Sequence, residues 1–101
     1  MSDLALLERH SHAISQIACE FGVAELCVFG SILRDDFRVD SDIDFLVEFQ
    51  PQQRPSLFTL IRLQHRLEDL LGRRVDLVPK DGLKPAIRAS VLACAHRVYA
   101  A

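Results

Sequence analysis

Phe29-Gly30-Ser31-Ile32-Leu33-Arg34, followed after a polar connection by Ser41-Asp42-Ile43-Asp44-Phe45-Leu46-Val47, is the stretch on which the fold turns. Glu25 to Phe29 predicts a short strand, apolar on both faces and therefore central in a sheet. Gly30-Ser31 breaks it, and Ile32 to Asp36 predicts a brief helix. Arg38 to Ser41 is polar, and Ile43 to Phe49 predicts a second strand. A small-residue turn thus leaves one buried strand, and an Asp-x-Asp pair opens the next.

Outward from that centre, helices and strands alternate. Ser2 to Phe21 reads as one amphipathic helix, with Leu4, Leu7, Ile14, Ile17, Ala18 and Phe21 at helical spacing and Gly22 as its stop. Gln50 to Pro55 is a loop. Ser56 is the expected N-cap of a long helix carrying Leu57, Leu60, Ile61, Leu67, Leu70 and Leu71, ended by Gly72. Val75 to Val78 predicts a third strand closed by Pro79, and Asp81-Gly82 a turn. A last helix is expected from about Lys84 to Cys94, with Arg97-Val98-Tyr99 returning as a short edge strand. The order α, β, α, β, α, β, α predicts one α/β domain over residues 1–101, without repeats or linkers.

Composition narrows the classes. The chain has 101 residues, half of them hydrophobic, which supports a core without disulfides. Twelve Lys and Arg against 14 Asp and Glu give a net charge of −2, unlike a protein that coats nucleic acid. Cys19, Cys27 and Cys94 are scattered, and Cys19 and Cys27 read as small core residues of a reducing compartment. No segment approaches the roughly 18 apolar residues of a membrane span. A cytoplasmic protein is the expectation.

The chemistry lies in the acids and the turn. Strand alternation points Asp42 and Asp44 to one face, roughly 6.6 Å apart along the backbone, while Ile43 and Phe45 face the other. Two such carboxylates repel unless cations sit between them. Mg²⁺ suits a few carboxylate oxygens completed by phosphate oxygens and water, and a pair of ions about 3.5–4 Å apart serves phosphoryl chemistry. Alone, Asp-x-Asp is more often a turn cap and a solvent-facing residue. Gly30 lets backbone approach a phosphate, Ser31 adds a hydroxyl, and Arg34 lies one helical turn on, within reach of the same anion. Asp76, between Val75 and Leu77, faces away from both and must leave the core or meet a partner. If the third strand lies beside the second, Asp76 joins Asp42 and Asp44 as a triad.

These three runs, the third being Arg74-Val75-Asp76-Leu77-Val78, resemble in order and spacing the minimal nucleotidyltransferases (MNT). That is the small branch of the DNA polymerase β type of nucleotidyltransferase superfamily. The likeness covers nearly the whole chain, including Ser56-Leu57-Phe58. It implies a palm-like α+β fold, a small mixed sheet flanked by helices. It implies that Gly30 and Ser31 bind triphosphate, that Arg34 positions the nucleotide, and that Asp42, Asp44 and Asp76 hold Mg²⁺, with two ions expected. It further implies an antitoxin paired with a HEPN-domain toxin encoded nearby, transferring AMP from ATP to a tyrosine of that partner. One departure stands out: the family usually has Gly after the arginine, where this chain has Asp35 and then Asp36.

Two competing readings follow. One is a non-catalytic antitoxin or regulatory subunit that masks its partner by contact, favoured by Asp35. The other is nucleotidylation of a small molecule, for which a chain this short needs to dimerise. His10, His12, His65 and His96 lack metal-site spacing, apart from the weak Cys94-x-His96, and read as surface or helix-end residues. Arg62, Arg66, Arg73 and Arg74 read first as a solvated face paired with Glu68 and Asp69. Their functional alternative is that Arg73 or Arg74 contacts nucleotide or partner. Phe58 and the apolar stripe of the long helix read as core, although so much leucine in a small domain also suits an oligomer or complex.

Overall fold

A computed structural model describes residues 4–29, 42–82, 85 and 96–101. Within them run α1 (Leu4–Arg9), α2 (Ser11–Glu20), β1 (Val23–Phe29), β2 (Ile43–Phe49), α3 (Leu57–Leu71), β3 (Val75–Pro79), a 3₁₀ turn at Lys80–Gly82, and β4 (His96–Ala100). The brief helix expected at 32–36 lies outside the described residues, as does nearly all of the one expected at 84–94.

The strands form one sheet in the order β3-β2-β1-β4. β1 runs antiparallel to β2 and to β4, whereas β2 and β3 are parallel, so the sheet is mixed. The expected α+β architecture is present, with β1 central and the Arg97-Val98-Tyr99 strand at an edge. β1 begins at Val23 rather than Glu25, because a register shift between these residues lets Val23 pair with Phe49. Parallel pairing of β2 with β3 requires a crossover, and α3 supplies it.

One face of the sheet makes the core. Leu26 and Val28 of β1, Ile43, Phe45 and Val47 of β2 and Val75 of β3 pack with Leu7, Ile14, Ile17, Ala18, Leu63, Leu67 and Leu71 from the helices. Burying such side chains stabilises the fold by about 1.5–3 kcal/mol each. No helix among the described residues is long and apolar enough to cross a membrane.

The first helix is broken rather than continuous. His10 (φ −103°, ψ 14°) shares its N–H between the carbonyls of Leu6 and Leu7, tightening the turn, and α2 resumes from its own carbonyl. Leu7, Ile14, Ile17 and Ala18 still face the core across the break. Cys19 is exposed, contrary to expectation, because one step from buried Ala18 rotates a helical residue about 100° off the core face. Cys27 is buried as expected. Its thiol is pushed up to about 11 by burial, then by the Glu25 charge and a hydrogen bond to that carboxylate.

α3 begins and ends where expected. The Ser56 side chain accepts from the Thr59 N–H and Thr59 answers to the Ser56 N–H, a full capping box, while Gly72 (φ 67°) closes the helix left-handed. Phe58 is the misplaced residue: it is 74% exposed, and Leu57 and Ile61 stand out with it. The sheet covers only the Leu63, Leu67 and Leu71 face, and α3 carries more apolar residues than that face needs.

Candidate active site

β2 and β3 carry the expected acids to one place. Their parallel register sets Ile43 opposite Val75 and Asp44 opposite Asp76, on strands about 4.8 Å apart. Ile43, Phe45 and Val75 turn into the core, which sends Asp42, Asp44 and Asp76 to the other face. β1 ends at the same end of the sheet, with Phe29 paired to Asp44. Gly30, Ser31 and Arg34 lie outside the described residues.

Electrostatics records the crowding. The Asp44 carboxyl is held above its ordinary range, first by burial and then by the negative charges of Asp76 and Asp42. Asp42 is turned partly aside, its Oδ1 standing 3.4 Å from the Nε of Arg74. The Arg74 carbonyl accepts the Ile43 N–H at 2.9 Å, so Arg74 continues the β2–β3 ladder by one step. Three acids and one arginine therefore stand together at this end of the strand pair.

As placed, no three Asp, Glu, His or Cys side chains among the described residues converge closely enough to surround one ion. Carboxylates without a cation between them splay apart, and Asp42 leans toward Arg74. The donor set nevertheless fits Mg²⁺ in kind: hard oxygens only, on adjacent strands, with a proton affinity at Asp44 that a nearby cation relieves. A cleft of about 420 Å³ lies away from these acids, at the opposite end of the sheet, lined by Ala24, Glu48, Gln53, Leu60 and Lys80 among others.

The Arg74–Asp42 pair is not among the sequence expectations, which group Arg74 with the helical arginines. Its signal is spacing: Arg74-x-Asp76 repeats Asp42-x-Asp44, and parallel strands set like positions side by side. Arg66 also departs from expectation. It bridges to Glu20 at 3.1 Å and lies over the Phe21 ring, rather than pairing with Glu68 or Asp69. His12, His65 and His96 are exposed and His10 sits at the helix break.

Comparison with known proteins finds relatives of this chain. The profile of the nucleotidyltransferase domain family matches residues 12–98. The protein adenylyltransferase MntA of Thermococcus cleftensis is 51% identical over 72 residues, covering 71% of each chain. A solved structure described as a minimal nucleotidyltransferase superposes with a TM-score of 0.78 at 40% identity, over 92% of this chain and 93% of the other. The fold is also shared, at 16% identity and a TM-score of 0.69, with a chain in the complex of a tri-AMPylated Shewanella oneidensis HEPN toxin and its MNT antitoxin. That match covers 94% of this chain and 73% of the other.

Proposed function

The chain belongs to the nucleotidyltransferase domain family, and from that premise we propose that it transfers AMP from ATP to a tyrosine hydroxyl of a HEPN-domain toxin, acting as its antitoxin. The observation that carries the reading is the Asp44–Asp76 register with Asp42 on the same face. The name of the Thermococcus relative supports a protein acceptor, and the adenylylated toxin in the Shewanella complex supports its class.

The residues divide the work. Gly30 and Ser31 hold the triphosphate through backbone N–H groups and a hydroxyl, and Arg34 orients it. Asp42 and Asp44 would hold Mg²⁺, and Asp76 would complete the set. Mg²⁺ bound there would neutralise charge at the α-phosphate and at the departing pyrophosphate. Asp76 takes the proton of the acceptor hydroxyl as its oxygen bonds to the α-phosphorus. The bond from that phosphorus to pyrophosphate breaks in the same displacement, leaving a tyrosyl-AMP ester.

The test is intact-mass measurement of the HEPN partner after incubation with this chain, ATP and Mg²⁺. Adenylyl additions are expected with the wild type and none with Asp42→Asn, Asp44→Asn or Asp76→Asn, each folded by circular dichroism. Undiminished transfer by those variants overturns the assignment. Asp35 supports a second reading, neutralisation by contact alone. A tight complex with a partner that gains no mass selects it.

A further inference from the structure

The N-terminal half of α3 carries a surface that the fold does not use. Leu57 and Phe58 are 71% and 74% exposed and Ile61 is 40% exposed, while Leu63, Leu67 and Leu71 on the opposite face fill the core. Phe58, Ile61, Arg62 and His65 follow one another at helical spacing along the outer stripe. Arg54 lies in the loop just before the cap, and it too is exposed.

From Arg54 to His65 the chain that carries this ridge has charge of one sign, and Glu20 and Asp69 share a cleft with Arg62 and His65 at its far end. Between Glu48 and Glu68 the chain has no Asp or Glu, although acids outnumber bases overall. Arg66 is neutralised by Glu20. Arg54 and Arg62 have no ion pair among the described residues. The ridge is therefore apolar at its centre and cationic at its rim.

We propose that Leu57, Phe58 and Ile61, rimmed by Arg54 and Arg62, form the docking surface for an acidic segment of the protein acceptor, an apolar stripe flanked by carboxylates. Charge complementarity selects this occupant. A second copy meeting the ridge about a two-fold axis brings two identical cationic rims together, which is repulsive. Single-stranded RNA stacks on aromatic rings, and the ridge offers one ring among branched aliphatics. The inference rests on the reading that the acceptor is a protein. α3 packs on the core face of the sheet and the acids lie on the other, so the ridge stands apart from the acids.

The experiment measures binding of the HEPN partner to Asp44→Asn, which isolates docking from turnover, at low and high salt. Adding Phe58→Asp to that background is expected to weaken binding at least tenfold, as for a central interface aromatic. Adding Arg54→Glu with Arg62→Glu is expected to weaken it several-fold and to flatten the salt dependence. All of these side chains are exposed, so thermal melts are expected to stay at the parent value. Unchanged affinity in both sets, with the partner still adenylylated by the Phe58→Asp chain, overturns the ridge and leaves the enzymatic reading intact. Lost affinity alongside a wild type that transfers nothing keeps the ridge and overturns the enzymatic reading. No complex with the parent overturns the ridge and leaves the enzymatic reading to the mass measurement. A wild-type dimer dissociated by Phe58→Asp, or oligoribonucleotide binding abolished by it, assigns the ridge to another occupant and overturns the proposal.

Discussion

At the scale of single residues, Asp44 carries the tension of the site. Its carboxyl binds a proton more tightly in the folded protein than in the unfolded chain, through burial and then through Asp76 and Asp42. A group raised in this way costs stability above both of its pKa values. Metal-free stability from this group is therefore highest below the ordinary carboxylate range and falls as pH rises through it. Asp44→Asn removes the cost, so its metal-free melting temperature at neutral pH is expected to exceed that of the wild type, with the difference vanishing in acid. Added Mg²⁺ is expected to raise the wild type and leave the variant nearly unmoved. Melts from about pH 4 to 8, with and without Mg²⁺, check both; parallel curves for the two proteins refute the crowding. The acids are legible in the sequence because strand alternation is strict: Ile43, Phe45, Val75 and Leu77 need the core, and that alone turns Asp42, Asp44 and Asp76 outward. The role of Arg74 is not legible there. Only the pairing of two strands far apart in sequence brings it beside Asp42.

At the scale of elements, local signals are readable and the use of each face is not. Ser56 and Gly72 mark the ends of α3 by their own chemistry, one hydroxyl for an orphan N–H and one left-handed residue without a Cβ penalty. Ser56→Ala loses the capping hydrogen bond and is expected to cost about 1 kcal/mol. For a chain of this size that is a fall of about 4–8 °C in melting temperature, measured by circular dichroism. Ser56→Asp, which keeps a capping oxygen, is expected to stay near the wild type, and an equal loss in both variants shows that the cap is not the cause. Which leucines of α3 face the sheet is not legible in the same way. Leu57, Phe58, Leu60, Ile61, Leu63 and Leu67 together wrap too wide an arc for periodicity to separate buried Leu63 from exposed Phe58. The break at His10 is hidden for a related reason: Leu7 and Ile14 keep the same face on both sides of it, so the pattern runs through unbroken.

At the scale of the whole molecule, the acids belong to neighbouring strands that the chain joins through α3, and one side chain ties that crossover to the site. The Glu68 carbonyl accepts the Gly72 N–H at 2.8 Å, and its carboxylate accepts the Val75 N–H at 3.0 Å. Glu68 therefore fixes both ends of the short connection from helix to strand. Val75 sits opposite Ile43 and next to Asp76, so the position of Asp76 against Asp44 depends on where that amide is held. Glu68→Ala leaves a half-buried N–H without its acceptor, a loss of about 1–3 kcal/mol in a denaturant melt. Glu68→Gln retains a side-chain carbonyl and is expected to lose less than half as much. The functional consequence exceeds the stability loss. At a temperature where both variants are fully folded, Glu68→Ala is expected to transfer nucleotide several-fold more slowly than wild type, with Glu68→Gln between them. Hydrogen exchange at the Val75 amide supplies the discriminating readout, faster in Glu68→Ala in proportion to the lost rate. Full protection at Val75 in a slowed Glu68→Ala enzyme breaks the link between crossover and triad, because the defect then reaches the acids by some route other than the start of β3.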